Sequence, residues 1–213
     1  KKVVKGGGKA EKLIATIQGE FRCCVPVGKE VWAADRSGIV HARNVRTGEV
    51  IATVEAPRMD CLIWCMTLLE KEVWMGTESG PIVVFDRLTR EYKRELRMHV
   101  GGVYCLASNA DRSRVYSGSN DFTVYEWDTA SRKTLKLLAG HINGVRCALV
   151  IGMTLWTGSD DHTVKVWSLM DGTCTHTHTG HTDSVISLSV GKKGYVWSSS
   201  ADKTVRAWPV GGE

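Results

Sequence analysis

Along this chain large apolar residues alternate with small or polar ones over short runs, and the runs come in pairs. The clearest pair is Leu155–Trp167. Leu155 to Ser159 alternates large and small residues, Asp160-Asp161-His162 interrupts, and Thr163 to Trp167 alternates again with β-branched residues. This predicts two strands around a tight turn. A lone hairpin is marginal in water, so it needs neighbours, and the chain supplies them by repetition. Tyr116–Trp127, Trp197–Trp208, Trp74–Phe85 and, more worn, Trp32–Arg43 carry the same pattern. No stretch shows helical periodicity, so the chain reads as all-β.

The repeats keep a strict spacing. Their first residues stand at 32, 74, 116, 156 and 197 and their last at 43, 85, 127, 167 and 208, both stepping by 42, 42, 40 and 41. A third column, Phe21, Ile63, Val103, Val145 and Val185, steps by 42, 40, 42 and 40. A period near 41 with four short strands per unit is the mark of a propeller blade. Each unit is expected to give an outer strand (Leu13–Ile17, repeated as Val50–Val54), then an inner strand, then the hairpin. The inner strands are read at 22–25, 64–68, 104–108, 146–150 and 186–190. Residues 1–12 form a basic, flexible lead-in, and 13–213 form five four-stranded antiparallel blades. The repeats fall near 13–44, 50–86, 92–128, 133–168 and 174–209. The chain begins on an outer strand and stops after a third strand, so its ends could complete one blade and shut a ring of five. A portion of a larger, seven-bladed propeller is the favoured expectation.

The last three repeats share a polar constellation: His99, Ser117, Asp121 and Trp127; His141, Thr157, Asp161 and Trp167; His181, Ser198, Asp202 and Trp208. An Asp can fix a His tautomer through one ring nitrogen, the other nitrogen can bond the hydroxyl, and the hydroxyl can accept from the indole N–H. A single Ser/His/Asp set would suggest a hydrolase, but a catalytic triad needs one exposed serine beside an oxyanion hole. Recurrence at a fixed period argues for architecture instead. Repeats one and two read Ile17, Ala33, Ser37, Arg43 and Met59, Met75, Ser79, Phe85 at these positions, so no such network is expected there.

Gly140-His141 and Gly180-His181, the Ser/Thr-Gly-Ser-x-Asp runs, and Thr-Val-x-x-Trp resemble the WD-repeat (WD40) family of β-propellers, over about residues 13 to 210. Trp127-Asp128 keeps the family's dipeptide. The resemblance implies a non-enzymatic scaffold for protein–protein interaction in a multiprotein assembly. An alternative is the regulatory or targeting region of a multidomain enzyme, a kinase or an inositol-phosphate phosphatase, with its catalytic domain outside this chain. Partners are expected to be proteins or peptides on the tetrad-side face, where loops ride on a rigid scaffold. There the residues flanking the turn aspartate differ from blade to blade. Arg36, Glu78, Asn120, Phe122, Asp160, His162 and Lys203 are the candidate partner contacts, and Phe122 is the oddest, since glycine suits such a turn. A reader of modified histones or phosphopeptides would need an aromatic cage or an arginine cluster on that face. Only Arg36, Arg58 and Lys203 offer scattered cations there.

Composition adds little to this. The net charge of +5 tilts weakly toward acidic partners. No basic block interleaved with aromatics suggests specific nucleic-acid binding, and no apolar run of about 18 residues suggests a membrane helix. The first twelve residues carry five lysines and three consecutive glycines with no apolar core and no initiating Met. The expectation is therefore a mature fragment or an excised region. Of seven cysteines, Cys23, Cys65, Cys105 and Cys147 share one column, with Ser187 as its fifth member. Reduced structural thiols in an intracellular protein, cytoplasmic before nuclear, are the expectation. His176, His178 and His181 lack a cysteine or carboxylate spaced to complete a site. No metal or cofactor is expected.

Overall fold

The computed structural model describes residues 19–54, 62–191 and 194–210, which contain nineteen strands and no helix. None of these residues can therefore lie in a membrane-crossing helix. The strands form five antiparallel sheets. Blade 1 is β1 (Phe21–Val27), β2 (Glu30–Asp35), β3 (Val40–Asn44) and β4 (Val50–Val54). Blade 2 is β5 (Ile63–Leu68), β6 (Glu72–Thr77), β7 (Ile82–Asp86) and β8 (Tyr92–Leu96). Blade 3 is β9 (Val103–Ser108), β10 (Arg114–Ser119), β11 (Thr123–Asp128) and β12 (Thr134–Ala139). Blade 4 is β13 (Val145–Ile151), β14 (Thr154–Ser159), β15 (Val164–Ser168) and β16 (Cys174–His178). Blade 5 has three described strands, β17 (Val185–Val190), β18 (Tyr195–Ser200) and β19 (Val205–Pro209).

Among the described residues each run of alternation is a strand, but the outer strand of a repeat belongs to the preceding sheet. Val50–Val54 pairs with β3 and not with the strands that follow it. The expected first outer strand, Leu13–Ile17, lies outside the described residues. The β2–β3 class of turn closes on a residue of positive φ: Gly38 (88°), Gly80 (110°), Phe122 (72°), His162 (68°) and Lys203 (67°). In blade 4 the His162 N–H donates to Ser159 O at 3.2 Å and the Ser159 N–H to Thr163 O at 3.3 Å, a turn with a left-handed bulge residue.

The core lies between blades, not within them. Trp32 and Val40 of blade 1 pack on Val73, Met75 and Phe85 of blade 2. Trp74 and Ile82 pack on Val103, Val115 and Trp127, Tyr116 and Val124 on Leu155 and Trp167, and Trp156 and Val164 on Val185 and Val196. The inner strands follow one another round the axis, β1 against β5, β5 against β9, β9 against β13 and β13 against β17. The cysteine column sits at these contacts. The Sγ of Cys23, Cys65, Cys105 and Cys147 reaches the carbonyl of Ile63, Val103, Val145 and Val185 in the next blade, at 3.5 to 3.9 Å. Gly118 and Gly158 make room for this contact. A Cβ at Gly158 would lie 2.5 Å from Val185 Cγ1 and 2.6 Å from Cys147 Sγ.

The series is open at blade 5. Val40, Ile82, Val124 and Val164 are fully buried, whereas Val205, their counterpart, is 61% exposed. Trp197 is 43% exposed although Trp32, Trp74, Tyr116 and Trp156 are buried. The described residues thus form an arc whose last flank is uncovered, not a shut ring of five.

Two outcomes test this packing. Burial pushes the Cys105 thiol up to about 12 and Cys147 well above the usual range. In native protein a thiol reagent should label exposed Cys24 and Cys174 quickly and leave Cys105 and Cys147 unmodified until denaturant is added. Val164→Asp should unfold the chain, because it places a charge in the blade 4–blade 5 core. Val205→Asp should change the unfolding free energy by less than about 0.5 kcal/mol in a denaturant titration.

Candidate functional site

The tetrads form in blades 3, 4 and 5. Each His enters from the loop before an inner strand, its Ser or Thr lies on the second strand, its Asp in the turn and its Trp at the end of the third strand. In blade 4, His141 Nδ1 is 2.6 Å from Asp161 Oδ2, its Nε2 is 2.7 Å from Thr157 Oγ1, and the Trp167 indole donates to Thr157 Oγ1 at 2.8 Å. Blade 3 repeats this through His99, Asp121, Ser117 and Trp127 at 2.8, 2.7 and 2.8 Å. Blade 5 does so through His181, Asp202, Ser198 and Trp208 at 2.7, 2.8 and 2.8 Å. The indole can only donate, so the hydroxyl accepts from it and gives its own hydrogen to Nε2. That leaves Nδ1–H facing the carboxylate.

The network is larger than four residues. The other oxygen of Asp161 accepts from the Thr163 backbone at 2.9 Å and its hydroxyl at 2.6 Å, and Ile142 N–H donates to Oδ2 at 3.2 Å. Thr123 and Thr204 do the same for Asp121 and Asp202. Burial works to raise the Asp161 pKa, and the bonds from His141 and Thr163 outweigh it, holding the carboxyl well below the ordinary range. Ser117, Thr157 and Ser198 have no exposed surface. No substrate can reach these hydroxyls, so the geometry is that of a brace and not of a catalytic triad.

Blades 1 and 2 use another device at the opposite end. Glu30 and Glu72 accept from the indoles of Trp32 and Trp74, at 3.1 and 3.0 Å. Each also pairs with an arginine from the next blade's third turn, Glu30 with Arg90 and Glu72 with Arg132, the latter at 2.6 Å. Both arginines sit at positive φ, 62° and 60°, where Gly48 and Gly172 stand in the neighbouring turns. The left-handed conformation costs about 1–2 kcal/mol per residue, and charge-assisted bonds contribute about 1.5–3 each. The pair outweighs the strain. Burial works to raise Glu72, but Arg132 and Trp74 hold it below the ordinary carboxylate range. At the next interface Arg114 replaces the Glu, Tyr116 the Trp and Gly172 the Arg, so the clamp is absent as a unit. Blade 1 also holds a local cluster that its sequence did not announce. Asp35 accepts from Ser37 N–H and hydroxyl at 2.9 and 2.6 Å, and His41 Nε2 lies 3.3 Å away.

On the tetrad-side loops Arg36, Glu78, Asn120, Phe122, His162 and Lys203 are exposed and Asp160 is half-buried. Arg36 pairs with Glu20 at 3.4 Å. Asn120 and Asp160 converge on Gly144, where a Cβ would lie 3.2 Å from Asn120 Oδ1 and 3.1 Å from Asp160 Oδ2. Phe122 and His162 hold the same left-handed position in successive turns. Arg58 lies outside the described residues. Two arginines and two aromatics that the sequence reading placed on inner strands but not among the candidate contacts lie beside these loops. Arg22 stacks on Trp64 at 4.3 Å, Arg146 stacks on Tyr104 at 4.2 Å, and the two rings meet edge to face at 5.3 Å. Arg146 Nε also donates to Asp160 Oδ2 at 2.7 Å. His178, which the sequence grouped with His176 and His181, is stacked between Trp156 and Trp208, at 5.4 and 4.9 Å.

The tetrad makes a quantitative demand. Asp161→Ala should cost about 2–3 kcal/mol in a denaturant titration, since it orphans buried donors. Ser79→Ala, at the corresponding exposed turn of blade 2, removes a contact to Thr77 Oγ1 at 3.2 Å and should cost less, about 1 kcal/mol or under. Because the Asp161 pKa is lowered on folding, its contribution is whole above the unfolded-state value of about 4 and fades as pH falls toward the folded one. The gap between wild type and Asp161→Ala should therefore shrink steadily below about pH 4.

Comparison with known proteins agrees with this geometry. The WD40 family model (WD domain, G-beta repeat) matches residues 90–128, 132–168 and 172–209, together more than half of the chain. The chain is 32% identical over 111 residues to the F-box/WD repeat-containing protein sel-10 of Caenorhabditis elegans, covering 51% of this chain and 19% of that protein. It is 29% identical over 190 residues to the U3 small nucleolar RNA-associated protein 15 homolog of Gallus gallus, covering 87% of this chain and 36% of that one. The crystal structure of RRP9 WD40 repeats superposes with a TM-score of 0.83 at 20% identity, over 94% of this chain and 63% of that one. The chain thus spans about a third or less of these curated relatives and under two thirds of that propeller. With the matched repeats falling on the three blades that hold tetrads, the chain belongs to the WD40-repeat family of β-propellers.

Proposed function

We infer that this chain is a non-enzymatic interaction scaffold, and that its tetrad-side loops receive a protein partner in a larger assembly. The observation that carries this reading is Phe122. It holds a left-handed turn position, φ 72°, that glycine fills without strain in blades 1 and 2, and its ring is 43% exposed. The left-handed strain works against a side chain there, so a large, half-exposed apolar ring at this turn favours a role in binding over one in folding. Asn120, Asp160 and His162, on the same and the adjacent turn, supply polar groups around it. The buried tetrad hydroxyls support the non-enzymatic part of the reading.

The alternative, a targeting region of a multidomain kinase or inositol-phosphate phosphatase, draws support from how much longer the relatives are than their matched parts. Identification of what co-purifies with the full-length protein, and of the polypeptide it belongs to, separates the two. The relatives give no ground for preferring cytoplasm to nucleus, since one is by name associated with a small nucleolar RNA. For the same reason the purification should be repeated after nuclease treatment. A partner that survives supports direct protein binding, and one that is lost points to RNA.

Phe122→Ala should weaken binding of the identified partner by about 2 kcal/mol with an unchanged melting temperature. Phe122→Gly should weaken it similarly while raising stability by about 1 kcal/mol, through relief of left-handed strain. Full binding by both variants would remove the patch from consideration.

A further inference from the structure

Every inner strand carries a β-bulge at the same place. Pairing jumps from Phe21 to Cys23, Ile63 to Cys65, Val103 to Cys105, Val145 to Cys147 and Val185 to Ser187. The residues left out of the ladder are Arg22, Trp64, Tyr104, Arg146 and Ile186. A bulge re-aims the side chain it extrudes, and the inner strands stand side by side round the axis. Five re-aimed side chains thus run as a band across the inner strands at the tetrad-side end. The first four form the stacked series of guanidinium, indole, phenol and guanidinium described above.

The chemistry of that band is selective. Two aromatic rings could cage a cation, but here one face of each ring already carries a resident guanidinium, so a second cation meets repulsion. Arg146 is matched by Asp160. Arg22 has no anionic partner among the described residues; it is exposed and held by its contact with Trp64 alone. The Trp64 indole N–H is shut away from water with no acceptor among the described residues, a standing penalty that an incoming acceptor relieves. A site there requires Arg22, held among the described residues by one stacking contact, to turn from the ring toward such a group and admit it to the indole. One unmatched positive charge and one unpaired N–H suit the two oxygens of a monoanion. A phosphate dianion would call for a second free cation.

Resting on the reading that this face receives a protein, we propose that Arg22 and Trp64 form a carboxylate site, which takes an Asp or Glu side chain of the partner segment. The test is a titration of the ¹⁵N-labelled chain with acetyl-Gly-Glu-Gly-amide, following the Trp64 indole N–H signal, which is assigned by its loss in Trp64→Phe. The Glu peptide shifts that signal, and the matching Gln peptide does not. Arg22→Gln, a change at an exposed residue, weakens the response at least about tenfold and leaves the other indole signals in place. Added salt weakens it as well. An equal response to the Gln peptide, unchanged binding by Arg22→Gln, or tighter binding of a phosphoserine peptide overturns the proposal. If the full-length protein captures its partner as well with Arg22→Gln as without, the carboxylate site falls and the scaffold stands. If wild-type protein captures nothing, it is the scaffold reading that fails.

Discussion

Both faces of an interior blade in this chain are apolar, so each depends on its neighbours to cover them. An indole such as Trp32 or Trp156 withdraws on the order of 200 Å² from water, about 5 kcal/mol at 25 cal/mol/Å². A hydrogen bond nets about 1 kcal/mol. Burial between blades therefore supplies most of the stability, and the polar networks select which arrangement is adopted. The glycine and cysteine columns follow from the same constraint. Strands packed closely enough to bury those faces leave room for the thiols of Cys65, Cys105 and Cys147 beside Gly76, Gly118 and Gly158, and for that of Cys23 opposite the small Ala34.

Each blade then carries one of two polar devices. Blades 3 to 5 have the His–Ser/Thr–Asp–Trp network, extended by a threonine, which ties three strands and a loop within one sheet. Blades 1 and 2 lack it and carry instead a glutamate held by its own blade's indole and the next blade's arginine. The tetrad residues of the described blades are kept or replaced together, and blade 4, which keeps the indole of Trp156 without the glutamate, gives it Thr154 Oγ1 as acceptor at 3.3 Å. Loss of a single member would orphan a buried charge or donor, which costs more than absence of the whole.

The arc of sheets and the tetrads were legible because they recur: five copies of one alternation, three copies of one polar set, each at a period near 41. What could not be read was whatever depends on register. The band of Arg22, Trp64, Tyr104 and Arg146 exists because a bulge turns each residue out of the ladder, and alternation alone does not show a skipped pair. In the sequence Trp64 differs from the other seven tryptophans only in standing outside the hairpin positions 32, 74, 156 and 197 and 127, 167 and 208. The clamps join residues sixty positions apart, a stride that matches no repeat. Their signal was a glutamate two places before a tryptophan, together with an arginine where sister turns have glycine. The threonines that complete the tetrads were within reach, since each follows its aspartate by two residues. The exposure of Val205 was beyond any reading of its column, in which it looks identical to Val164.

The sixty-residue stride of the clamps has a consequence for synthesis. Glu30 cannot meet its arginine until Arg90 has left the ribosome, nor Glu72 until Arg132 has. At about 5–20 residues per second, each glutamate waits roughly 3 to 12 s as an unpaired carboxylate on a blade whose second flank is still bare. Blade 1 is thus finished not by its own last strand but by the final turn of blade 2. Nascent chains of this protein should pass through a sequence of half-clad intermediates, each exposing one apolar flank to any chaperone present.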